Sequence, residues 1–303
     1  MFTTLLILDG GLATELERRG ADLRHPLWSA KLLAENPEMI RQVHEDYFRA
    51  GADVATSASY QASFLGFAKQ GLQPRQAAEL MRLGVRLAQD ARDQFMLDAP
   101  PGRRRPLVAA SIGCYGACLH DGSEYRGDYD LDVDDLVDWH RPRLEPLLEA
   151  GPDLRACETI PCLREAEALT RLLEGYPEAK AWIAFCCRDD MALSSGEPFV
   201  EAVRMTSGST NVVAVGVNCV APRFATPLLH SARVATTKPF VVYPNNGDVW
   251  NAVTGTWENS ATQFDWADGA REWRDLGAKL IGGCCRTTPE TIRVLRYALT
   301  EGG

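Results

Sequence analysis

Short apolar, β-branched runs recur along the chain, each followed by a turn and then by helical periodicity. The runs are LLILD (5–9), DVATSAS (53–59), LVAASIG (107–113), LRACETI (154–160), AKAWIAFCC (179–187), VVAVGVNC (212–219), KPFVVYPN (238–245) and AKLIGGCC (278–285). The helices between them carry their own punctuation. Asn36 suits an N-cap, Pro37 the first helical position and Glu38 the positive helix end. Ile40, Val43, His44, Tyr47 and Phe48 then share one face, and Gly51 stops the helix. Thr288, Pro289 and Glu290 repeat that grammar before the last helix. After the third strand, Pro142 and Pro146 are expected to kink or break the helix.

Eight strand–helix units without a long polar linker predict an α/β fold, a single closed (β/α)8 TIM barrel spanning 1–303 as one domain. A two-domain doubly wound protein is the alternative, but no composition shift marks a boundary and no GxGxxG follows the first strand. Long connections at about 20–35, 60–73, 114–132 and 245–261 follow strands and so belong to the C-terminal mouth, where barrels build active sites. The run Arg103-Arg104-Arg105 precedes a strand and is expected to be a solvated turn on the opposite face.

Composition narrows the function classes. Apolar residues at 46% and charged residues at 24% exclude intrinsic disorder. With 32 basic against 41 acidic residues the net charge is −9, which disfavours nucleic acid and anionic membrane as partners. No apolar run reaches the roughly 18 residues of a membrane span. The opening MFTTLLILDGG has no basic region, so it does not read as a signal peptide, and a cytoplasmic protein is expected. Nine cysteines, an odd number, argue for reduced thiols over a disulfide framework. Without heptads or a broad apolar stripe, a monomer is expected.

The strand ends hold the chemistry. Asp9, the stretch Ser57-Ala58-Ser59-Tyr60, Ser111, Glu158, Cys219, Asn245 and Cys284-Cys285 would all converge on one mouth. Three thiolates select zinc among common metals and leave a fourth, open position, the mark of a catalytic site. Gly282-Gly283 would let the chain bend so that both neighbouring sulfurs reach one ion. The alternative is that these cysteines are small buried hydrophobes, and Cys186-Cys187, Cys114, Cys118, Cys157 and Cys162 are read that way. Glu158 and Asp9 either face an amino-acid ammonium group or cap loops. His44 belongs to a core-facing helix surface, and His120 lies in the long third loop. No GxSxG elbow, Walker loop or HExxH occurs. Gly282-Gly283 could instead cradle a phosphate, but adjacent thiolates would repel one.

The segments DGGLATELERRG, VNC (217–219) and GGCCRTTPE (282–290) resemble those of the homocysteine S-methyltransferase family, and the likeness runs across nearly the whole chain. HPLWSAKLL, ASYQASFLGFAKQGL, DGSEYRGDY, HRPRLEPLLEAGPDLRACETIP and YPNNGDVWNAVTGTW look most like its S-methylmethionine-dependent branch. The resemblance implies a (β/α)8 barrel with Zn2+ held by Cys219, Cys284 and Cys285. It implies that Asp9 and Glu158 help hold L-homocysteine; from their strand-end positions, Ser57, Tyr60 and Asn245 are expected to line the substrate site. CYGAC (114–118) and FCCRDD (185–190) depart from the family pattern in their extra cysteines. The expected reaction is transfer of a methyl group from a sulfonium donor to homocysteine, giving methionine. Tyr60, Tyr115 and Trp250 are candidates for cation–π contact with the sulfonium. Betaine or S-adenosylmethionine as donor, a phosphate-binding barrel enzyme and a non-catalytic zinc or thiol sensor are the competing readings.

Overall fold

The structure, a computed structural model, describes residues 4–23, 28–251, 256–258 and 264–300. Its strands are β1 (Leu6–Ile7), β2 (Val54–Thr56), β3 (Leu107–Gly113), β4 (Leu154–Ile160), β5 (Ala181–Phe185), β6 (Val212–Asn218), β7 (Phe240–Tyr243), β8 (Val249–Asn251), β9 (Thr256–Glu258) and β10 (Ala278–Ile281). Eight of them form a parallel sheet in the order β1-β10-β7-β6-β5-β4-β3-β2. A parallel bridge from Leu8 to Val54 joins the first strand to the second, and the sheet closes as a (β/α)8 barrel. Every apolar run of the sequence supplies one barrel strand. β8 and β9 form an antiparallel hairpin in the connection after β7.

Burial on both faces explains why the strands read as continuous apolar runs. In β5, Trp182 and Ala184 point into the barrel beside Leu8, Val54, Ala109, Ala214, Tyr243 and Leu280. The alternate residues Ala181, Ile183 and Phe185 pack outward under the helices. The helix Pro37–Ala50 starts as its sequence dictates: Met39 N donates to Asn36 Oδ1 at 3.3 Å, and Gly51 takes the left-handed conformation at φ 111°. His44 is fully buried on its inner face, in the core as expected.

Three expectations change. The helix Val133–Glu149 runs unbroken through Pro142 and Pro146. The carbonyls that lose their partners belong to Asp138 and Pro142, both on exposed residues where water can satisfy them. The inner residues Leu136, Leu144 and Leu147 are buried, so tertiary packing offsets the lost bonds. Arg103 is not solvated either. Its guanidinium pairs with Asp53 and donates to Ala52 O at 2.6 Å, while Asp53 also holds Arg296 at 2.8 Å and accepts from Ile7 N at 3.0 Å. Closing a barrel brings the β1, β2 and β3 starts together, and that half-buried carboxylate is met by two cations. Finally, the connection after β5 is also long: Cys187 bridges Leu193 and Ala192 bridges Pro198, folding it over the mouth.

Candidate metal centre and active site

β6 and β10 end side by side with β7 between them, which brings three cysteines distant in sequence to one point. The sulfurs of Cys219, Cys284 and Cys285 all lie within 4.8 Å of one another. Cys219 Sγ is 2.7 Å from Cys284 Sγ and 3.7 Å from Cys285 Sγ. Tetrahedral thiolates at about 2.3 Å from zinc would stand roughly 3.8 Å apart. The second distance meets that spacing, and the first needs Cys284 to move out by about 1 Å. All three are free thiols at the rim, Cys219 buried and the other two half-buried. Hydrogen bonds from its two neighbours hold the Cys219 thiol well below its ordinary range, while those two are pushed up. The donor set is one that a soft divalent metal would fit, and three protein ligands would leave a fourth position for another ligand.

Local backbone, more than regular strand geometry, aims these sulfurs. Cys219 sits just past β6 at φ 51°, a left-handed conformation rare for a side-chain-bearing residue. Cys284 and Cys285 lie beyond the end of β10, so the alternation of a strand does not apply to them. Gly282 and Gly283 act by close approach, not by bending: a Cβ on Gly283 would fall 2.3 Å from Thr287 Oγ1. That threonine hydroxyl donates to Cys284 O and accepts from Gly11 N, tying the cysteine loop to the glycines after β1. Asn245 Oδ1 accepts from Cys285 N at 3.1 Å, so this residue, expected at the substrate, also fixes the backbone of one of the three cysteines.

The two carboxylates share the mouth with the sulfurs. Glu158 is buried, hydrogen-bonded to the Ser111 hydroxyl and to the Tyr243 phenol, which accepts from Trp182 Nε1 at 2.9 Å. Burial first, and the nearby Cys219 charge, push its carboxyl up to about 7. Asp9 is also buried and accepts from Thr56 N and Thr56 Oγ1 at 2.9 and 3.0 Å. Desolvation carries its carboxyl to about 8, and Glu158 adds to the rise. Two buried carboxyls driven toward neutrality are the arrangement that a cationic group would reverse. Ser57 Oγ accepts from Ser111 N at 3.1 Å and meets Ser59 Oγ at 2.8 Å, which places it behind Ser111 and Glu158.

Tyr60 packs its ring over Gly113, and its phenol is pushed up by burial and by the charges of Cys114, Glu124, Tyr125 and Cys219. Arg143 holds that corner by donating to the carbonyls of Tyr60, Ala62 and Gly113. Tyr115 meets Tyr129 and Trp139 edge-on, so it packs within the third connection. The Trp250 side chain lies outside the described residues. His120, in the same connection as Tyr115, is exposed and left-handed at φ 59°. The six remaining cysteines are buried, and burial raises their thiols, Cys157 to about 12 and Cys162 to about 11. They pack as small apolar residues, although Cys186 Sγ reaches Cys219 O at 3.7 Å.

Several residues of the site escaped the sequence reading. Asn218 Oδ1 accepts from Thr159 N at 2.7 Å and its Nδ2 donates to Thr159 Oγ1 at 2.8 Å, with Cys284 Sγ 4.0 Å away. Thr159 is left-handed at φ 58°, in a register shift between β4 and β5 next to Glu158. One buried amide therefore joins the residue after Glu158 to the residue before Cys219. Tyr125 directs its hydroxyl to Cys219, and Tyr243 supports Glu158. The Asn of VNC and the Tyr pairs of the mouth were visible as letters, but their partners depend on barrel closure.

A closed barrel with three thiols that could hold a metal and two buried carboxylates at its C-terminal mouth defines an enzyme framework. The family model described as homocysteine S-methyltransferase matches residues 6–299, and the chain belongs to that family. It is 48% identical over 291 residues to homocysteine S-methyltransferase YbgG of Bacillus subtilis, covering 95% of this chain and 92% of that one. Homocysteine S-methyltransferase 1 of Arabidopsis thaliana is 47% identical, with 95% and 91% covered. The crystal structure of the homocysteine methyltransferase MmuM from Escherichia coli in its metallated form superposes with a TM-score of 0.87 at 48% identity, covering 97% of this chain and 96% of that one.

Proposed function

We propose that this chain is a zinc-dependent methyltransferase that moves a methyl group from S-methylmethionine, or from S-adenosylmethionine, to L-homocysteine. The carrying observation is the meeting of Cys219, Cys284 and Cys285 beside two buried carboxyls that a cation would restore to charge. A free alkyl thiol with a pKa near 8.5 is mostly protonated at neutral pH and a poor nucleophile. Zinc held by the three cysteines would deprotonate the homocysteine thiol and keep it at the open position.

The chain's own residues supply alignment. Glu158, braced by Ser111 and Tyr243, and Asp9, braced by Thr56, take the homocysteine ammonium. The Cys219 and Cys285 backbones, held by Tyr243 O and Asn245, fix the direction in which the sulfur presents itself. Holding nucleophile and methyl carbon in line is worth up to several kcal/mol. The donor's positive sulfur is its own activation, so no general base or covalent enzyme intermediate is needed. The new S–C bond forms as the donor's S–C bond breaks, the electron pair stays on the departing sulfur, and the thiol proton goes to solvent. With S-methylmethionine both products are methionine.

The wider reading is one barrel domain over 1–303 acting as a cytoplasmic monomer; among the described residues no helix is long and apolar enough to cross a membrane. The test is methionine formation by zinc-loaded, reduced protein from homocysteine with labelled S-methylmethionine, S-adenosylmethionine and betaine in competition. Label arriving chiefly from S-methylmethionine supports the proposal. Label from betaine overturns the donor, and no methionine from any donor overturns the activity.

A further inference from the structure

The mouth holds a carboxylate that neither the metal site nor the homocysteine site uses. Glu124 lies in the 3-10 turn Ser123–Tyr125 of the connection after β3. Its Oε2 is buried and has no hydrogen-bond partner among the described residues. The other buried carboxylates at this end are engaged: Glu158 by Ser111 and Tyr243, Asp9 by Thr56, and Glu165 by Tyr115 N, Tyr129 and His140. Glu124 and Cys219 feel each other's charge, as do Glu124 and Tyr60, Tyr125 and Cys186, so its carboxylate belongs to the same end of the barrel as the three thiols. Arg126 is turned to Asp128, Asp121 O and Ser123 Oγ and leaves Oε2 without a direct partner.

The turn is fixed in position. A Cβ on Gly116 would sit 2.6 Å from Ser123 C and 2.7 Å from Glu124 N, so the two halves of the connection are in backbone contact. Tyr125, the next residue, directs its hydroxyl to Cys219. A buried carboxylate oxygen without a donor is costly unless a cation meets it. In a methyl transfer between two sulfurs, the donor sulfur sits only one methyl group beyond the nucleophile. The positive centre must therefore stand close to the three thiols, within the electrostatic reach of Glu124.

Building on the reading above, we propose that Glu124 is the anionic contact for the donor's sulfonium and sets the preference of this site for cationic methyl donors. Tyr60 and Tyr125 are phenols within reach of the same charge. Because the sulfonium loses its charge as the methyl leaves, this contact is stronger in the ground state than in the transition state. It therefore tightens donor binding and does nothing to speed the chemical step, whose barrier rises by whatever part of the contact the transition state loses.

The experiment compares zinc-loaded wild type with Glu124→Gln and Glu124→Asp. Calorimetry without homocysteine measures binding of S-methylmethionine and of its neutral carbon isostere, 2-amino-5-methylhexanoate. The two ligands share the ammonium and carboxylate and differ in the charge at sulfur. Glu124→Gln should weaken S-methylmethionine about tenfold or more and change the isostere less than twofold, with Glu124→Asp intermediate. In turnover, donor KM should rise, kcat should not fall and homocysteine KM should stay unchanged. Equal weakening of both ligands would assign Glu124 to the ammonium, and no change in either would make it structural; each result overturns the proposal. An unchanged thermal midpoint certifies the variants. If wild type made no methionine, the methyltransferase reading would fail, while its calorimetric preference for cation over isostere would still decide the role of Glu124.

Discussion

Replacing Asn218 with alanine tests whether one buried amide holds the two halves of the site together. The side chain accepts from Thr159 N at 2.7 Å and donates to Thr159 Oγ1 at 2.8 Å in a fully buried position. Its loss leaves the Thr159 amide without a partner, a penalty of about 1–3 kcal/mol, and costs about 1 kcal/mol more for the hydroxyl bond. Thr159 at φ 58° and Cys219 at φ 51° each sit in a backbone region that disfavours L-residues by roughly 1–2 kcal/mol, and the amide bridges directly to the first of them. The expected destabilisation is about 3 kcal/mol. For a domain of this size, that corresponds to a fall in thermal midpoint of roughly 6 °C, measurable by differential scanning calorimetry on reduced protein. Because Glu158 precedes Thr159, homocysteine KM should rise about tenfold in the same variant. A midpoint within 1–2 °C of wild type together with unchanged homocysteine kinetics would refute the clamp.

Other outcomes follow from the same geometry. Cys219→Ser should lose most bound zinc and most activity, read by metal analysis and turnover; one zinc per chain with normal rates would remove Cys219 from the ligand set. Glu158→Ala should raise homocysteine KM at least about tenfold with donor KM unaffected, since a buried ammonium would lose its charge partner; unaltered kinetics would make Glu158 a structural cap. His44 is fully buried with neither ring nitrogen partnered among the described residues, and desolvation lowers it to about 4. Its folded pKa lies below the unfolded value, so its contribution is present above about pH 6.5 and is lost as pH falls toward 4. His44→Leu should therefore be at least as stable as wild type at pH 7 and lose about 2 kcal/mol less on acidification, measured by urea unfolding at pH 7 and 4.5. Parallel pH profiles for the two proteins would contradict this.

The barrel was legible because each strand is buried on both faces and leaves an unbroken apolar run, from LLILD to AKLIGGCC. The helix at Pro37 was legible because its capping signals are local. The three cysteines were legible as a set only through the barrel, since they lie at 219, 284 and 285 without the spacing of a local metal motif. What escaped was non-local or tertiary. The Asn218–Thr159 clamp joins β4 to β6, strands that are not sequence neighbours, and needs Thr159 left-handed, and the Trp182–Tyr243–Glu158 chain needs the closed interior. Pro142 and Pro146 break the local helix rule because the packed face of that helix outweighs two missing hydrogen bonds. Arg103 looked like one member of a solvated triplet, but barrel closure buries it against Asp53.

The account rests on homocysteine sulfur joining Cys219, Cys284 and Cys285 on one metal. Zinc K-edge X-ray absorption of the reconstituted protein, before and after adding L-homocysteine, measures that directly. Three sulfurs and one lighter ligand at rest, becoming four sulfurs near 2.3 Å with homocysteine, is the predicted result. A sulfur count that stays at three while homocysteine is bound would contradict the proposed activation of the nucleophile.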